Sequence, residues 1–210
     1  MKPVYKLDTL DICGHAYIAK CLLALGGTPY TLTSKPFNPE SYYSSPKSLS
    51  SSPTGDNLVQ EIANTRDLNL ALAKGLDLYP SDPKDENAAN LLINDMLPCI
   101  HALHDYCATV SDVSMPPTSP DAHEKRLLLI DLLDKLLASH ENIIMNSNSC
   151  FYIKNSPSLP DFYMLYIFVM VSHVSAYDPD LDRFSLLFVP HILRLVKLLY
   201  STKAIQSVSL

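Results

Sequence analysis

The spacing of apolar residues divides the chain into two parts with different patterns. In the first part, residues 4–7 and 28–33 have the composition of short strands, and residues 16–25 between them have helical spacing. The pair Gly26-Gly27 predicts the end of that helix. A strand, a helix and a strand within about 30 residues form a βαβ unit, whose two strands are parallel. The chain is therefore predicted to begin with a small α/β domain.

The rest of this domain has a less regular pattern. Residues 35–52 are rich in Ser, Pro and Tyr and almost lack aliphatic side chains, which predicts an irregular surface loop. A turn at residues 53–57, a short strand at 58–60 and a helix at 64–74 follow. We therefore assign residues 1–76 to a first domain and residues 77–83 to a linker.

Residues 84–210 show only helical patterns, which predicts an all-α second domain. Asp82 as N-cap and Pro83 in the first turn predict a long helix that ends near Val110. A second start signal, Ser119-Pro120, precedes a helix with four aliphatic residues on one face: Leu127, Ile130, Leu133 and Leu137. Two shorter helices are predicted at the end of the chain, over residues 190–200 and from residue 202.

One further helix of this domain has an unusually strong start signal. Ser158 is a good N-cap, and the Asp161 carboxylate three residues later can accept a hydrogen bond from the Ser158 amide, as in a capping box. Residues 162–171 are apolar on every side, so this helix is predicted to be buried. It is too short to cross a bilayer, which needs about 20 apolar residues. We therefore predict the central buried helix of a protein that makes no membrane contact.

Composition narrows the possible functions only coarsely. The 210 residues are 47% hydrophobic and 18% charged, which is enough for a sizeable core. The net charge of −6 and the lack of a basic stripe argue against nucleic-acid binding. The first residues lack a signal-peptide pattern, and five scattered cysteines without a CxxC pair are typical of a reducing compartment. A cytoplasmic protein is expected.

The long helix carries a C-x-H-x-x-H-x-x-C cluster made of Cys99, His101, His104 and Cys107. Zinc accepts these ligand types, but the spacing matches no standard zinc signature, and partly buried side chains on a helix surface are the alternative. We expect no metal. Tyr106 on the same helix belongs either to the core or to an apolar site for a small molecule.

The architecture and three local motifs resemble the cytosolic glutathione transferases, most closely the sigma class. The motifs are Tyr5-Lys6-Leu7 followed by Gly14-His15-Ala16, the capping box from Ser158 to Asp161, and the closing region over residues 178–208. The resemblance covers nearly the whole chain. It implies a thioredoxin-like N-terminal domain followed by an all-α helical bundle, and an assembly that is usually a homodimer.

The resemblance also assigns roles to particular residues around the tripeptide glutathione, the co-substrate of the family. Pro53 falls on the family's cis-proline, and Asn64 with Thr65 falls on the pair that holds the γ-glutamyl end of glutathione. Asp95 falls where members place an acid that faces the glutathione cleft of the neighbouring subunit. Ser52 lies beside the cis-proline, in a loop that normally carries a lysine and a glycine.

The thiol-activating position departs from the family pattern. The catalytic tyrosine, which stabilises the glutathione thiolate, is replaced by Thr9, and the arginine usual at the start of the first helix is replaced by His15. An aliphatic hydroxyl can still donate one hydrogen bond, but it is a poorer partner for a thiolate than a phenol.

Cys13 offers a different chemistry. It lies where omega-class and glutaredoxin-like proteins carry a nucleophilic cysteine, near the positive end of the first helix. Gly14 replaces the proline that usually follows such a cysteine. Taken together, the resemblance implies a transferase that conjugates glutathione to a small hydrophobic electrophile. A thiol transferase that uses Cys13 and a binding or scaffolding module without turnover are the alternatives.

Overall fold

The computed structural model describes residues 5–10, 16–35, 49–51, 60–62, 65–110, 119–175, 178, 181 and 189–208. The chain divides into two compact units. The first contains Met1–Pro80 together with Tyr200–Leu210, and the second contains Ser81–Leu199.

The first unit begins with the predicted βαβ arrangement. Strand β1 (Tyr5–Leu10), helix α1 (Tyr17–Leu25) and strand β2 (Tyr30–Lys35) follow each other, and the two strands are parallel. Helix α1 buries Leu22 and Leu23 completely, as its apolar face predicts. Gly27 has a φ of 57°, so the chain leaves the helix through a left-handed residue that glycine adopts without strain.

The second half of this unit pairs two short antiparallel strands, β3 (Leu49–Ser51) and β4 (Gln60–Ile62), before helix α2 (Thr65–Gly75). The prediction of an irregular loop over residues 35–52 is wrong at its end, because Leu49–Ser51 forms β3. Pairing with β4, rather than the strand propensity of its own residues, stabilises this segment. The rest of that predicted loop lies outside the described residues.

The described residues of the second unit form four helices: α3 (Pro83–Val110), α4 (Pro120–Met145), α5 (Leu159–Ser175) and α6 (Pro190–Tyr200), the last of which ends at a residue grouped with the first unit. The predicted start of α3 is confirmed, since Asp82 Oδ1 accepts a hydrogen bond from the Lys84 amide at 3.0 Å. The start of α4 is confirmed in the same way by the Ser119 hydroxyl, which accepts from the Ala122 amide at 3.2 Å. Helix α3 contacts both α4 and α5.

The apolar face predicted for α4 is only partly buried. Leu133 and Leu137 lie in the core, whereas the side chain of Leu127 is 53% exposed. The four aliphatic residues that share one face of α4 are therefore not buried to the same extent. Leu128 beside it is also exposed, so this end of α4 presents apolar surface.

Helix α5 is the buried central helix that its sequence predicts. Phe162, Met164 and Leu165 have no exposed surface. The predicted bond from the Ser158 amide to Asp161 Oδ2 is confirmed, at 2.7 Å. The other half of a capping box is not formed, because the Ser158 hydroxyl donates to the same carboxylate oxygen at 2.8 Å and the Asp161 amide donates to the Ser158 carbonyl at 2.9 Å. Among the described residues, no helix is both long and apolar enough to span a membrane.

A carboxylate from α4 caps helix α6. The Glu141 carboxylate accepts from the His191 amide at 2.9 Å and from the Ile192 amide at 3.0 Å. Burial alone would raise the pKa of Glu141, but these two amides and the His191 ring lower it overall. The ionised carboxylate thus ties the start of α6 to α4.

The end of the chain forms a short helix, α7 (Lys203–Gln206), that belongs to the first unit. It contacts α1, and Ile205 at its centre is completely buried. The first unit is therefore built from both ends of the chain.

Candidate functional site

Part of the predicted glutathione site falls in the described portion of the first unit. Thr9 lies on β1, where its Cα is paired with that of Ser34 on β2. Thr65 is the first residue of α2 and is half-buried. The remaining candidates of this unit lie outside the described residues: Cys13, His15, Ser52, Pro53 and Asn64.

The topology of the first unit brings the elements that carry these residues together. Strand β3 contacts β1, and helix α2 contacts both β3 and β4. Ser52 directly follows β3, and Thr65 begins α2. Thr9 and Thr65 therefore belong to elements that both contact β3, although the two residues are far apart in sequence.

The position of Thr65 suits an anionic group. The first amides of a helix have no partner within the helix, and the helix dipole makes this end positive. A carboxylate such as that of a γ-glutamyl residue is stabilised there. Thr65 adds a hydroxyl that can donate one more hydrogen bond.

Two cysteines of the described chain are poorly suited to act as thiolate nucleophiles. Cys21 on α1 and Cys99 on α3 are buried, and burial raises the pKa of each thiol to about 12. Neither would be ionised near neutral pH, and the thiolate is the reactive form. Buried thiols of this kind behave as small apolar side chains.

The C-x-H-x-x-H-x-x-C cluster is spread over different surroundings. Cys99 and Cys107 are buried and His101 is exposed, while half-buried His104 forms a hydrogen bond with the Tyr166 hydroxyl of α5. Within the described ranges, no group of three or more His, Cys, Asp or Glu residues is placed to hold a metal ion. The structure does not bring the four side chains together as a zinc site.

Tyr106 belongs to the core of the second unit. It is 1% exposed, and its hydroxyl donates a hydrogen bond to Asp178, which also lies 3.7 Å from Arg126. Burial and the bond to Asp178 raise the pKa of Tyr106. The structure therefore supports the assignment of Tyr106 to the core and not to an apolar site for a small molecule.

Asp95 is part of a polar chain that the sequence did not predict. Its side chain is 59% exposed on α3, and its Oδ2 lies 3.1 Å from Nε2 of His140 on α4. His140 has no exposed surface, and its Nδ1 lies 2.8 Å from the hydroxyl of Tyr152, which is also buried. Burial lowers the pKa of His140 although Asp95 opposes this, so the imidazole is neutral at pH 7.

Asp95 also borders a shallow depression on the second unit. Its volume is about 450 Å³, and its walls are Leu91, Leu92, Asn94, Asp95 and Ile143. Leu91 is 61% exposed and Ile143 is 39% exposed. The surface around Asp95 thus combines apolar side chains with one carboxylate.

Solved structures of similar architecture cover nearly the whole chain. Na-GST-3, a glutathione S-transferase from the hookworm Necator americanus described as monomeric, matches with a TM-score of 0.72 and 17% identity over 96% of this chain and 94% of its own. Maleylacetoacetate isomerase from Anaeromyxobacter dehalogenans, with glutathione bound in its active site, matches with a TM-score of 0.71 and 14% identity over 99% and 95%. A Nu-class transferase from Haemonchus contortus matches with a TM-score of 0.70 and 14% identity over 97% and 94%.

These similarities confirm the predicted fold class. The chain has the glutathione transferase fold, a thioredoxin-like N-terminal domain followed by an all-helical C-terminal domain. No sequence family matches the chain, and no curated protein matches it in sequence.

Proposed function

We propose that this protein binds reduced glutathione in its first unit and conjugates it to small hydrophobic electrophiles. One observation carries the proposal: the fold is shared along 99% of the chain with an enzyme that holds glutathione in its active site. Because a fold can carry several functions, the assignment also needs residues that suit the ligand.

The cradle for glutathione would consist of Asn64, Thr65 and the backbone at Ser52 and Pro53. The place of Thr65 at the positive end of α2 supports this, since the γ-glutamyl group of glutathione carries a carboxylate. His15 would take the position at the start of α1 that usually holds an arginine.

Thr9 would face the thiol. In the reaction, the thiol releases its proton to solvent, the sulfur forms a bond to carbon, and a leaving group departs with its electron pair. Thr9 would donate one hydrogen bond to the thiolate, and the enzyme would place the thiolate against the electrophile. Because Thr9 is a weaker donor than tyrosine, we expect slow conjugation.

Asp95 would contribute to the glutathione site of a second copy in a homodimer. Its Oδ2 is bonded to His140, and within the described part of the chain its Oδ1 has no hydrogen-bond partner, so that oxygen can accept from the glutathione ammonium group. The exposed apolar side chains of Leu91 and Ile143 beside Asp95 support a protein contact at this surface.

Calorimetric titration of the purified protein with reduced glutathione tests the binding step. We expect a Kd in the micromolar to low-millimolar range, and Thr65→Val should weaken binding because it removes the hydroxyl and keeps the side-chain shape. Thr31→Val, a change at an exposed position of β2, is the matched control and should bind like the wild type. Absence of binding by the wild type would overturn the proposal and favour a binding or scaffolding module without turnover. The presence of Thr9 in place of the catalytic tyrosine also favours that alternative.

Assays with chlorodinitrobenzene and with hydroxyethyl disulfide then separate conjugation from thiol transfer. In thiol transfer, the Cys13 thiolate would attack a disulfide sulfur and release one thiolate. The glutathione thiolate would then attack the mixed disulfide, form a new disulfide with the bound substrate sulfur and release the Cys13 thiolate. Activity with hydroxyethyl disulfide but not with chlorodinitrobenzene would assign the chemistry to Cys13 instead of Thr9.

A further inference from the structure

With the His140 ring neutral, the polar chain from Asp95 into the core has only one arrangement of protons that satisfies all of its members. An ionised Asp95 accepts hydrogen bonds and cannot donate them, so His140 must carry a proton on Nε2. Nδ1 of the neutral ring is then an acceptor, and the Tyr152 hydroxyl can donate to it at 2.8 Å. The opposite tautomer would place two lone pairs against each other at the 3.1 Å contact with Asp95.

A carboxylate on an exposed helix face normally moves between several rotamers. The 3.1 Å contact with a completely buried histidine restricts Asp95, and Tyr152 in turn fixes the orientation of the imidazole ring. Ordering a side chain before the ligand arrives removes a cost that would otherwise weaken binding about two- to tenfold.

We infer that His140 is a positioning residue for Asp95, and that it holds this carboxylate, as the Nε2–H tautomer, in the orientation that receives glutathione. The inference rests on the proposed function, because it gives Asp95 a part in the glutathione site. Tyr152 acts one step further back, since its hydroxyl donates to Nδ1 and fixes the orientation of the imidazole ring, whose tautomer is set by Asp95.

Two substitutions of His140 separate positioning from simple packing. His140→Gln places an amide donor near the original Nε2 and keeps the bond to Asp95, whereas His140→Asn places its donor near Nδ1 and loses that bond. Glutathione affinity is measured by calorimetry at pH 7.5 for both His140 variants and for Asp95→Asn. His101→Gln is the control, because His101 is an exposed histidine on α3, the helix that carries Asp95.

We expect His140→Asn to weaken binding about two- to tenfold, toward the affinity of Asp95→Asn, and His140→Gln to weaken it less. His101→Gln should match the wild type. Equal affinities of His140→Asn and the wild type would overturn the inference while leaving the proposed function intact. Wild-type affinity in Asp95→Asn would overturn the inference together with the proposed role of Asp95, while glutathione binding by the first unit would still stand. Absence of binding by the wild type itself would remove the proposed function and this inference with it.

Nitrogen NMR of the histidine rings decides the question even where the His140 variants fail to fold. The wild type should show His140 protonated on Nε2 alone at pH 7.5, and saturating glutathione should shift this resonance, because Asp95 lies between the ligand and the ring. The same addition should leave the resonance unchanged in Asp95→Asn. A ring protonated on Nδ1 alone, or a wild-type resonance that glutathione does not move, contradicts the inference.

Discussion

Replacement of Asp161 by alanine should destabilise the second unit, because this carboxylate joins two separate segments. It has no exposed surface and accepts from the Ser158 amide, the Ser158 hydroxyl and, at Oδ1, the Tyr152 amide at 3.0 Å. The substitution therefore removes the cap of α5 and also leaves the buried Tyr152 amide without its acceptor.

The size of the effect follows from these contacts. Loss of a helix cap costs about 0.5–2 kcal/mol, and a buried amide without an acceptor adds about 1–3 kcal/mol. Burial of the Asp161 charge at pH 7 itself destabilises the wild type, and the alanine variant lacks this cost. The two losses are therefore partly offset, and we expect a total destabilisation of about 2 kcal/mol.

The destabilisation should grow in mild acid. Burial raises the pKa of Asp161 from 3.8 to about 6, although hydrogen bonds from Tyr152 and Ser158 oppose the shift. The folded protein thus binds a proton more tightly than the unfolded chain, so this group stabilises most below pH 3.8 and loses its contribution as the pH rises through about 6. Between pH 7 and pH 5 the wild type gains about 1 kcal/mol that the alanine variant lacks.

Urea unfolding followed by circular dichroism at pH 7 and pH 5 measures both effects, and it suits a chain without tryptophan. Asp131→Ala is the matched control, because Asp131 forms an exposed ion pair with Lys135 and should change stability by less than about 0.5 kcal/mol at either pH. An Asp161→Ala penalty that is absent at pH 7, or that shrinks at pH 5, would refute the account of this buried carboxylate.

Three further substitutions test other parts of the molecule. Thr9→Tyr should raise the rate of glutathione conjugation, because a phenol stabilises a thiolate better than an aliphatic hydroxyl does, and an unchanged rate would separate Thr9 from the catalytic position. Cys13→Ser should abolish any thiol transfer measured with a disulfide substrate, and full activity would eliminate the cysteine mechanism. Glu141→Ala should cost about 1–3 kcal/mol in urea unfolding at pH 7, since two amides of α6 lose their acceptor. The lowered pKa of Glu141 means that its contribution is present above pH 4.5 and lost as the pH falls further, so wild type and variant should converge in acid.

Local signals were sufficient to predict most helices. Asp82-Pro83 and Ser119-Pro120 carry the chemistry of a helix start within two residues, and the structure begins α3 and α4 at Pro83 and Pro120. The bond from the Ser158 amide to Asp161 was predictable for the same reason, because both groups lie within one helical turn.

Features that depend on distant partners could not be predicted in this way. Strand β3 exists because β4 pairs with it, and its residues Leu49–Ser51 have no strand pattern of their own. His140 lies 45 positions from Asp95, and no periodicity links a buried histidine to a particular exposed carboxylate. A histidine among aliphatic residues on α4, opposite a helix with acids, was the only sequence signal, and it fits many other arrangements.

The first unit is formed by two segments that are far apart in the sequence, and this affects how it folds during translation. Helix α1 emerges early from the ribosome. Helix α7, which contacts α1, emerges only after the whole of the second unit. Domains usually fold in the order of their synthesis. Here the second unit is complete in sequence while the first still lacks α7, so α1 keeps a face uncovered until α7 has been synthesised. A nascent chain stalled shortly before Lys203 should therefore expose the apolar surface that Ile205 covers. We expect a chaperone to bind this apolar surface at that stage of synthesis.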